Sequence, residues 1–172
     1  HEALPLLDQA AAIKRQHRSG AGAAVGLTYT LTCQGYAHGD QGSFPAALAC
    51  FEEALHQTGC DQPEVVGSVH GWYGAVLIWQ GRPREAMHHA REAWRQGERV
   101  RSVHLMAMGR AVLGFARWRD SGQPRALDDL REAVGWLARR GNALFSSLNH
   151  GWLAEALAEQ GDRKSTRLNS SH

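Results

Sequence analysis

Residues 44–58, FPAALACFEEALHQT, decide the fold class of this chain. Apolar side chains recur there every three or four residues, at Phe44, Ala47, Leu48, Phe51, Ala54 and Leu55. An α-helix has 3.6 residues per turn, so this spacing puts all of them on one face and leaves the other face polar. The stretch therefore predicts an amphipathic helix whose apolar face packs against another element.

The same pattern returns along the chain at a fixed interval. Segments 83–96 and 124–138 repeat the apolar stripe, and a glycine precedes each copy: Gly35, Gly74 and Gly114, spaced 39 and 40 residues apart. Each of these glycines is followed by an alanine 12 and again 19 residues later, and a fourth copy begins at Leu153–Ala154. Such self-similarity predicts a helical repeat with a period near 40 residues.

Glycines also predict where the helices end. Gly42, Gly81 and Gly122 lie between consecutive helical patterns, and Gly161 holds the same place in the fourth copy. No window alternates apolar and polar residues for long enough to predict a β-strand, so the chain is expected to be all-α. Residues 2–17 fit the second helix of a preceding unit. We therefore expect one repeat domain over 1–162 that starts and ends within a repeat, as part of a longer protein.

The best copy, with Gly35, Gly42, Phe44, Ala47 and Phe51, resembles the tetratricopeptide repeat. This resemblance implies a right-handed α–α superhelix, or solenoid, of about four helix pairs that binds other proteins. The chain departs from the family in its period, which is near 40 rather than 34 residues. It also lacks the usual proline after the second helix, and carries His70, Arg110 and His150 where the motif prefers Trp.

Two phrases carry a more specific resemblance, LREAVGWLARRGN at 130–142 and FSSLNHGWLAEALAEQGD at 145–162. They are similar to the C-terminal repeat regions of large bacterial signalling proteins, namely ATPase-containing adenylate/guanylate cyclases and ATP-dependent transcriptional activators. The resemblance implies a non-catalytic regulatory sensor module that binds a protein, a peptide or another domain of its parent chain. A freestanding scaffold that bridges two partners is the alternative. A fragment of an α/α-barrel enzyme is a further alternative, for which only Glu155 and Glu159 could supply convergent acids.

The family resemblance also selects candidate binding residues, because the first helix of each tetratricopeptide repeat lines the concave surface. Counting from the repeated glycines places on that surface Tyr36, Trp72, Trp79, Phe115, Trp118, Arg119, Trp152, Glu155 and Glu159. An exposed aromatic groove of this kind suits an extended peptide or an amphipathic helix, and its charged residues would orient the partner. The alternative is that the aromatic residues pack against neighbouring helices as core.

Charge and composition favour other interaction classes less. The formal net charge is +2, with three of the 19 basic residues in the last ten positions, so a near-neutral body gives no electrostatic reason to expect nucleic acid or a membrane surface. Three cysteines without a C-x-x-C pair indicate a reducing cytoplasm. We expect no metal and no cofactor, and assign His88 and His89 to a solvated helix face.

Residues 163–172, RKSTRLNSSH, differ in composition from the rest. Their apolar content falls to Leu168, and Lys164 is only the second lysine of the chain. The string resembles the conceptual translation of a sequencing adaptor, so we expect a disordered or artefactual tail. Repeat ends without capping helices would also expose apolar surface and favour self-association.

Overall fold

The computed structural model describes residues 3–16, 21–57, 62–139, 141 and 145–169, without the side chains of residues 21 and 162–169. Every regular element in these ranges is helical, which confirms the all-α prediction. The α-helices are α1 (Ala3–Gln16), α2 (Ala21–Asp40), α3 (Phe44–Gln57), α4 (Pro63–Trp79), α5 (Pro83–Val100), α6 (Val103–Ser121), α7 (Leu127–Arg139) and α8 (Ser146–Asn169), and a short 3-10 turn, Pro124–Ala126, precedes α7.

The turns between the helices form as the glycines predict. Gly42, Gly81 and Gly122 have φ angles of 75°, 77° and 65°, a left-handed conformation that glycine adopts without a steric penalty. At the first two turns the amide two residues beyond the helix donates to a carbonyl of the last turn, Ser43 N to His38 O and Arg82 N to Leu77 O, each at 2.8 Å. The same C-cap motif therefore ends α2 and α4.

Consecutive helices pack against each other throughout the described chain, and a second set of contacts joins alternate helices. Helix α2 also packs on α4, α4 on α6, and α6 on α8. The even-numbered helices thus form one continuous layer. The odd-numbered helices pack onto that layer.

Close helix contacts occur at the repeated glycines. A Cβ atom built on Gly35 would lie 2.7 Å from Cζ of Phe51, and one on Gly114 would lie 2.8 Å from the backbone nitrogen of Leu130. Phe51 and Leu130 are fully buried at these contacts. The glycines therefore act as the sequence predicts, by letting the two helices of a pair approach closely.

The fourth copy departs from the prediction, because α8 passes through Gly161 without a turn and ends at Asn169. Gly161 has no left-handed φ, and a Cβ atom built on it would contact nothing within 4 Å. One glycine costs a helix only about 1 kcal/mol relative to alanine, which does not end it when the flanking residues favour helix. The predicted turn at Gly161 is therefore wrong. The origin of residues 163–172 stays a prediction.

Candidate interaction surface

The structure places the candidate binding residues on the even-numbered helices. Tyr36 lies on α2, Trp72 and Trp79 on α4, Phe115, Trp118 and Arg119 on α6, and Trp152, Glu155 and Glu159 on α8. They divide into three groups that differ in burial and in contacts.

The first group is an aromatic patch formed by Tyr36, Trp72 and Trp79, all of which are partly exposed. The Tyr36 ring lies 4.7 Å from the Trp72 ring in an edge-to-face arrangement and 5.4 Å from the Trp79 ring. Burial, followed by the charge of Asp40, raises the pKa of the Tyr36 hydroxyl. The patch thus joins α2 to α4 and keeps part of each ring in contact with solvent.

The second group belongs to the core. Phe115, Trp118 and Trp152 are only 2%, 2% and 3% exposed, and the rings of Phe115 and Trp152 stack at 5.1 Å. The prediction of an exposed groove is therefore wrong for these three residues. The reason is the contact between α6 and α8, which places the large apolar rings between two helices and removes them from water.

The third group pairs within the chain. Arg119 on α6 forms ion pairs with Glu155 at 3.1 Å and Glu159 at 2.9 Å on α8. The indole nitrogen of Trp118 donates a hydrogen bond to the Glu159 carboxylate at 3.2 Å. The charges expected to orient a partner therefore hold α6 and α8 together.

Phe145 completes the aromatic contacts and was not predicted. Its ring lies 4.8 Å from that of Trp72 and 5.9 Å from that of Trp152, so it connects the aromatic patch to the core. Phe145 is 4% exposed and has a φ of 64°, which is unusual for a residue with a side chain. It precedes α8, where helical periodicity gives no signal.

Sequence reasoning also missed a second surface, on a different side of α6. Five residues spaced three and four apart, Val103, Met106, Arg110, Leu113 and Arg117, follow one face of α6 and line two clefts. One cleft, of about 310 Å³, is lined by Arg91 and Trp94 of α5, Gly109, Arg110, Leu113 and Arg117 of α6, and Asp129 of α7. The other, of about 270 Å³, is lined by Val103 and Met106 of α6 with Trp136 and Arg139 of α7. We call these two clefts together the α6 furrow.

Two tryptophans and an arginine connect the two clefts. The rings of Trp94 and Trp136 lie 5.9 Å apart, and the guanidinium carbon of Arg110 lies 5.5 and 5.2 Å from them. Arg110 also forms ion pairs with Asp129 at 3.0 Å and Glu132 at 2.8 Å. Because its guanidinium is held by rings and carboxylates at once, Arg110 is a fixed part of the surface.

A histidine pair lies between α4 and α5. The Nδ1 atoms of His70 and His89 are 2.8 Å apart, and the His89 ring lies 4.0 Å from the ring of Tyr73. Burial lowers the pKa of His70 to about 4, and burial together with the neighbouring His70 lowers that of His89 to about 3. The assignment of His89 to a solvated face is therefore wrong, whereas His88 is exposed as expected.

Comparison with protein-family models, with curated proteins and with solved structures found no match. The described residues include no group of three or more His, Cys, Asp or Glu side chains placed to hold a metal ion. Among the described helices, none is both long enough and apolar enough to cross a lipid bilayer.

Proposed function

We propose that this chain is a protein–protein interaction module, built as a tetratricopeptide-like α–α superhelix and used as the regulatory sensor arm of a larger bacterial signalling protein. On this proposal it acts in the cytoplasm, with no catalytic centre or cofactor of its own. Free thiols at Cys33 and Cys50 agree with a reducing compartment.

The repeated helix packing supports the architecture. In successive pairs the glycine of an even-numbered helix faces the following odd-numbered helix: Gly35 faces Phe51, Gly74 faces the Ala86 carbonyl, and Gly114 faces the Ala126 carbonyl. Stacking of similar helix pairs through one shared layer is the arrangement expected of a solenoid.

The observation that carries the functional proposal is the aromatic patch. Three large rings on two adjacent helices touch each other and remain partly exposed. Exposed clusters of Trp and Tyr are more typical of binding sites than of bare surface, since these residues bury much area with little loss of conformational entropy. The patch also contacts Phe145, so a partner bound there touches a side chain that reaches the α8 end of the domain.

Photocrosslinking tests this proposal directly. p-Benzoylphenylalanine is placed at Tyr36, where an aromatic residue replaces another, and at the exposed Glu98 on α5 as a control. We expect crosslinks from position 36 to a defined protein or to a segment of the parent chain, and none of the same species from position 98. Identical products from both positions, or none from position 36, would contradict the proposal.

A further inference from the structure

The two clefts of the α6 furrow lie along one line. Val103 and Arg117, at its two ends, are four helical turns apart on the same face of α6, which corresponds to about 21 Å. An extended peptide rises about 3.3 Å per residue, so about six residues span this length. Each cleft, at about 310 and about 270 Å³, has room for one or two side chains. These dimensions fit a peptide segment better than a single small molecule.

The lining of the furrow is basic. Four arginines, at positions 91, 110, 117 and 139, face it together with the single carboxylate of Asp129. Asp129 already pairs with Arg110 at 3.0 Å and with Arg117 at 2.6 Å. Arg91 is exposed and forms no ion pair with any residue that the structure describes. The furrow therefore offers an unused guanidinium to an acidic group.

Apolar surface lies next to these charges. Trp94, Leu113, Met106 and Trp136 are all partly exposed and line the furrow or separate its two clefts. The Trp94 and Trp136 rings are held in place by Arg110, so little conformational entropy is lost when a partner covers them. Rigid rings beside cations suit a segment that carries both apolar and acidic side chains.

We infer that the α6 furrow binds an acidic amphipathic peptide segment of a protein partner. A Glu or Asp side chain of the partner pairs with Arg91, and apolar side chains enter the two clefts on either side of the Trp94–Trp136 pair. This surface is separate from the aromatic patch. Leu113 in the furrow and Phe115 in the core project from α6 about 200° apart, at about 100° per residue.

The test starts with selection of peptides from a random dodecapeptide phage library on the intact chain. We expect the selected peptides to be richer in Glu and Asp, and in Leu, Phe or Trp, than the starting library. The most enriched peptide, labelled with fluorescein, is then titrated by fluorescence polarisation against the wild-type chain and its variants.

Arg91→Glu is the decisive variant, with Arg84→Glu as the matched control. Both change the same charge on α5, but Arg84 does not line the furrow and its side chain is 84% exposed. We expect Arg91→Glu to weaken binding about tenfold, Arg91→Gln to weaken it less, and Arg84→Glu to leave it unchanged. Circular dichroism and thermal unfolding of each variant check that its fold is intact.

Three results would overturn the inference: selected peptides without an excess of acidic residues, equal binding by wild type and Arg91→Glu, or equal weakening by Arg84→Glu. Trp79→Ala separates this surface from the aromatic patch. The furrow predicts unchanged binding of the acidic peptide in that variant. If Trp79→Ala abolishes binding and Arg91→Glu does not, the aromatic patch is the binding site, so the furrow proposal fails while the proposed function stands.

Discussion

The ring of Phe145 meets the indole of Trp72 edge-on, with ring centroids 4.8 Å apart. Phe145 precedes α8 and Trp72 lies on α4, so this contact joins two helices that are not neighbours in the chain. The backbone of Phe145 adopts a left-handed conformation to make it. Side-chain packing therefore outweighs a backbone cost of about 1–2 kcal/mol at this position.

Substitution of Phe145 separates these two energies. We expect Phe145→Ala to lower the free energy of unfolding by about 3–5 kcal/mol, because a buried ring is removed. Phe145→Gly should be less destabilising than Phe145→Ala by about 1 kcal/mol, because glycine adopts a positive φ freely. Urea denaturation measures both variants. A glycine variant less stable than the alanine variant would show that the backbone strain is absent.

Gly35 tests the close helix approach. A Cβ at this position would lie 2.7 Å from the Phe51 ring, so Gly35→Ala should lower the free energy of unfolding by about 1–3 kcal/mol. Gly151 in α8 is the matched control, since a Cβ there meets nothing within 4 Å. Gly151→Ala should raise stability by about 0.5–1 kcal/mol through helix propensity. Equal effects at both glycines, measured by thermal unfolding, would contradict the packing described for Gly35.

The histidine pair predicts a loss of stability in weak acid. The pKa values of His70 and His89 are about 4 and about 3 in the folded chain, below the ordinary value near 6.5 of the unfolded chain. As pH falls below about 6.5 the unfolded state takes up protons first, so stability present at neutral pH is lost progressively down to about pH 3–4. The loss should be on the order of 3 kcal/mol.

The charged neighbours of the pair modify this effect without reversing it. Glu92 favours the protonated form of His70 and Glu85 that of His89, whereas His88 opposes both and Arg82 opposes His89. Urea denaturation at pH 7.0, 5.5 and 4.5 measures the dependence. The double variant His70→Gln/His89→Gln should show a flatter curve than wild type, because carboxylate titration is common to both. Parallel curves would remove the histidines as its cause.

Arg119 and Trp118 should differ in their effect on stability. Arg119 makes two ion pairs with side chains that are one third to one half exposed, so Arg119→Ala should lower the free energy of unfolding by less than about 1 kcal/mol. Trp118 is buried, and Trp118→Ala should lower it by about 3–5 kcal/mol. Chemical denaturation of both variants distinguishes a surface ion pair from a core residue. A large effect of Arg119→Ala would mean that the ion pairs hold α6 and α8 more strongly than their exposure implies.

Local patterns predict much of this fold, because its helices and turns depend on local sequence. The stripe around Phe51 and the glycine at position 42 each specify a structure through residues a few positions away. The close contacts of Gly35 and Gly114 also follow from the repeat. Gly161 shows the limit of this reasoning, since a glycine ends a helix only where the chain also reverses.

The candidate surface was less predictable, because exposure depends on which helices lie side by side. Trp72 and Trp152 occupy equivalent repeat positions, yet Trp72 is partly exposed and Trp152 is covered by its neighbours. His89 lies in a polar stretch of sequence but faces His70 on the adjacent helix. The furrow combines residues from three helices, so no single stretch of sequence reveals it.

The most direct test of the proposed interaction role is the affinity of Trp79→Ala for the partner segment crosslinked at position 36, measured by isothermal titration calorimetry. Trp118→Phe serves as the control, since Trp118 is buried outside the aromatic patch. The account predicts that Trp79→Ala, checked to be folded, binds at least about thirtyfold more weakly than wild type, as loss of a 2 kcal/mol hot spot requires, and that Trp118→Phe binds as wild type does. Equal affinities of Trp79→Ala and wild type would contradict it.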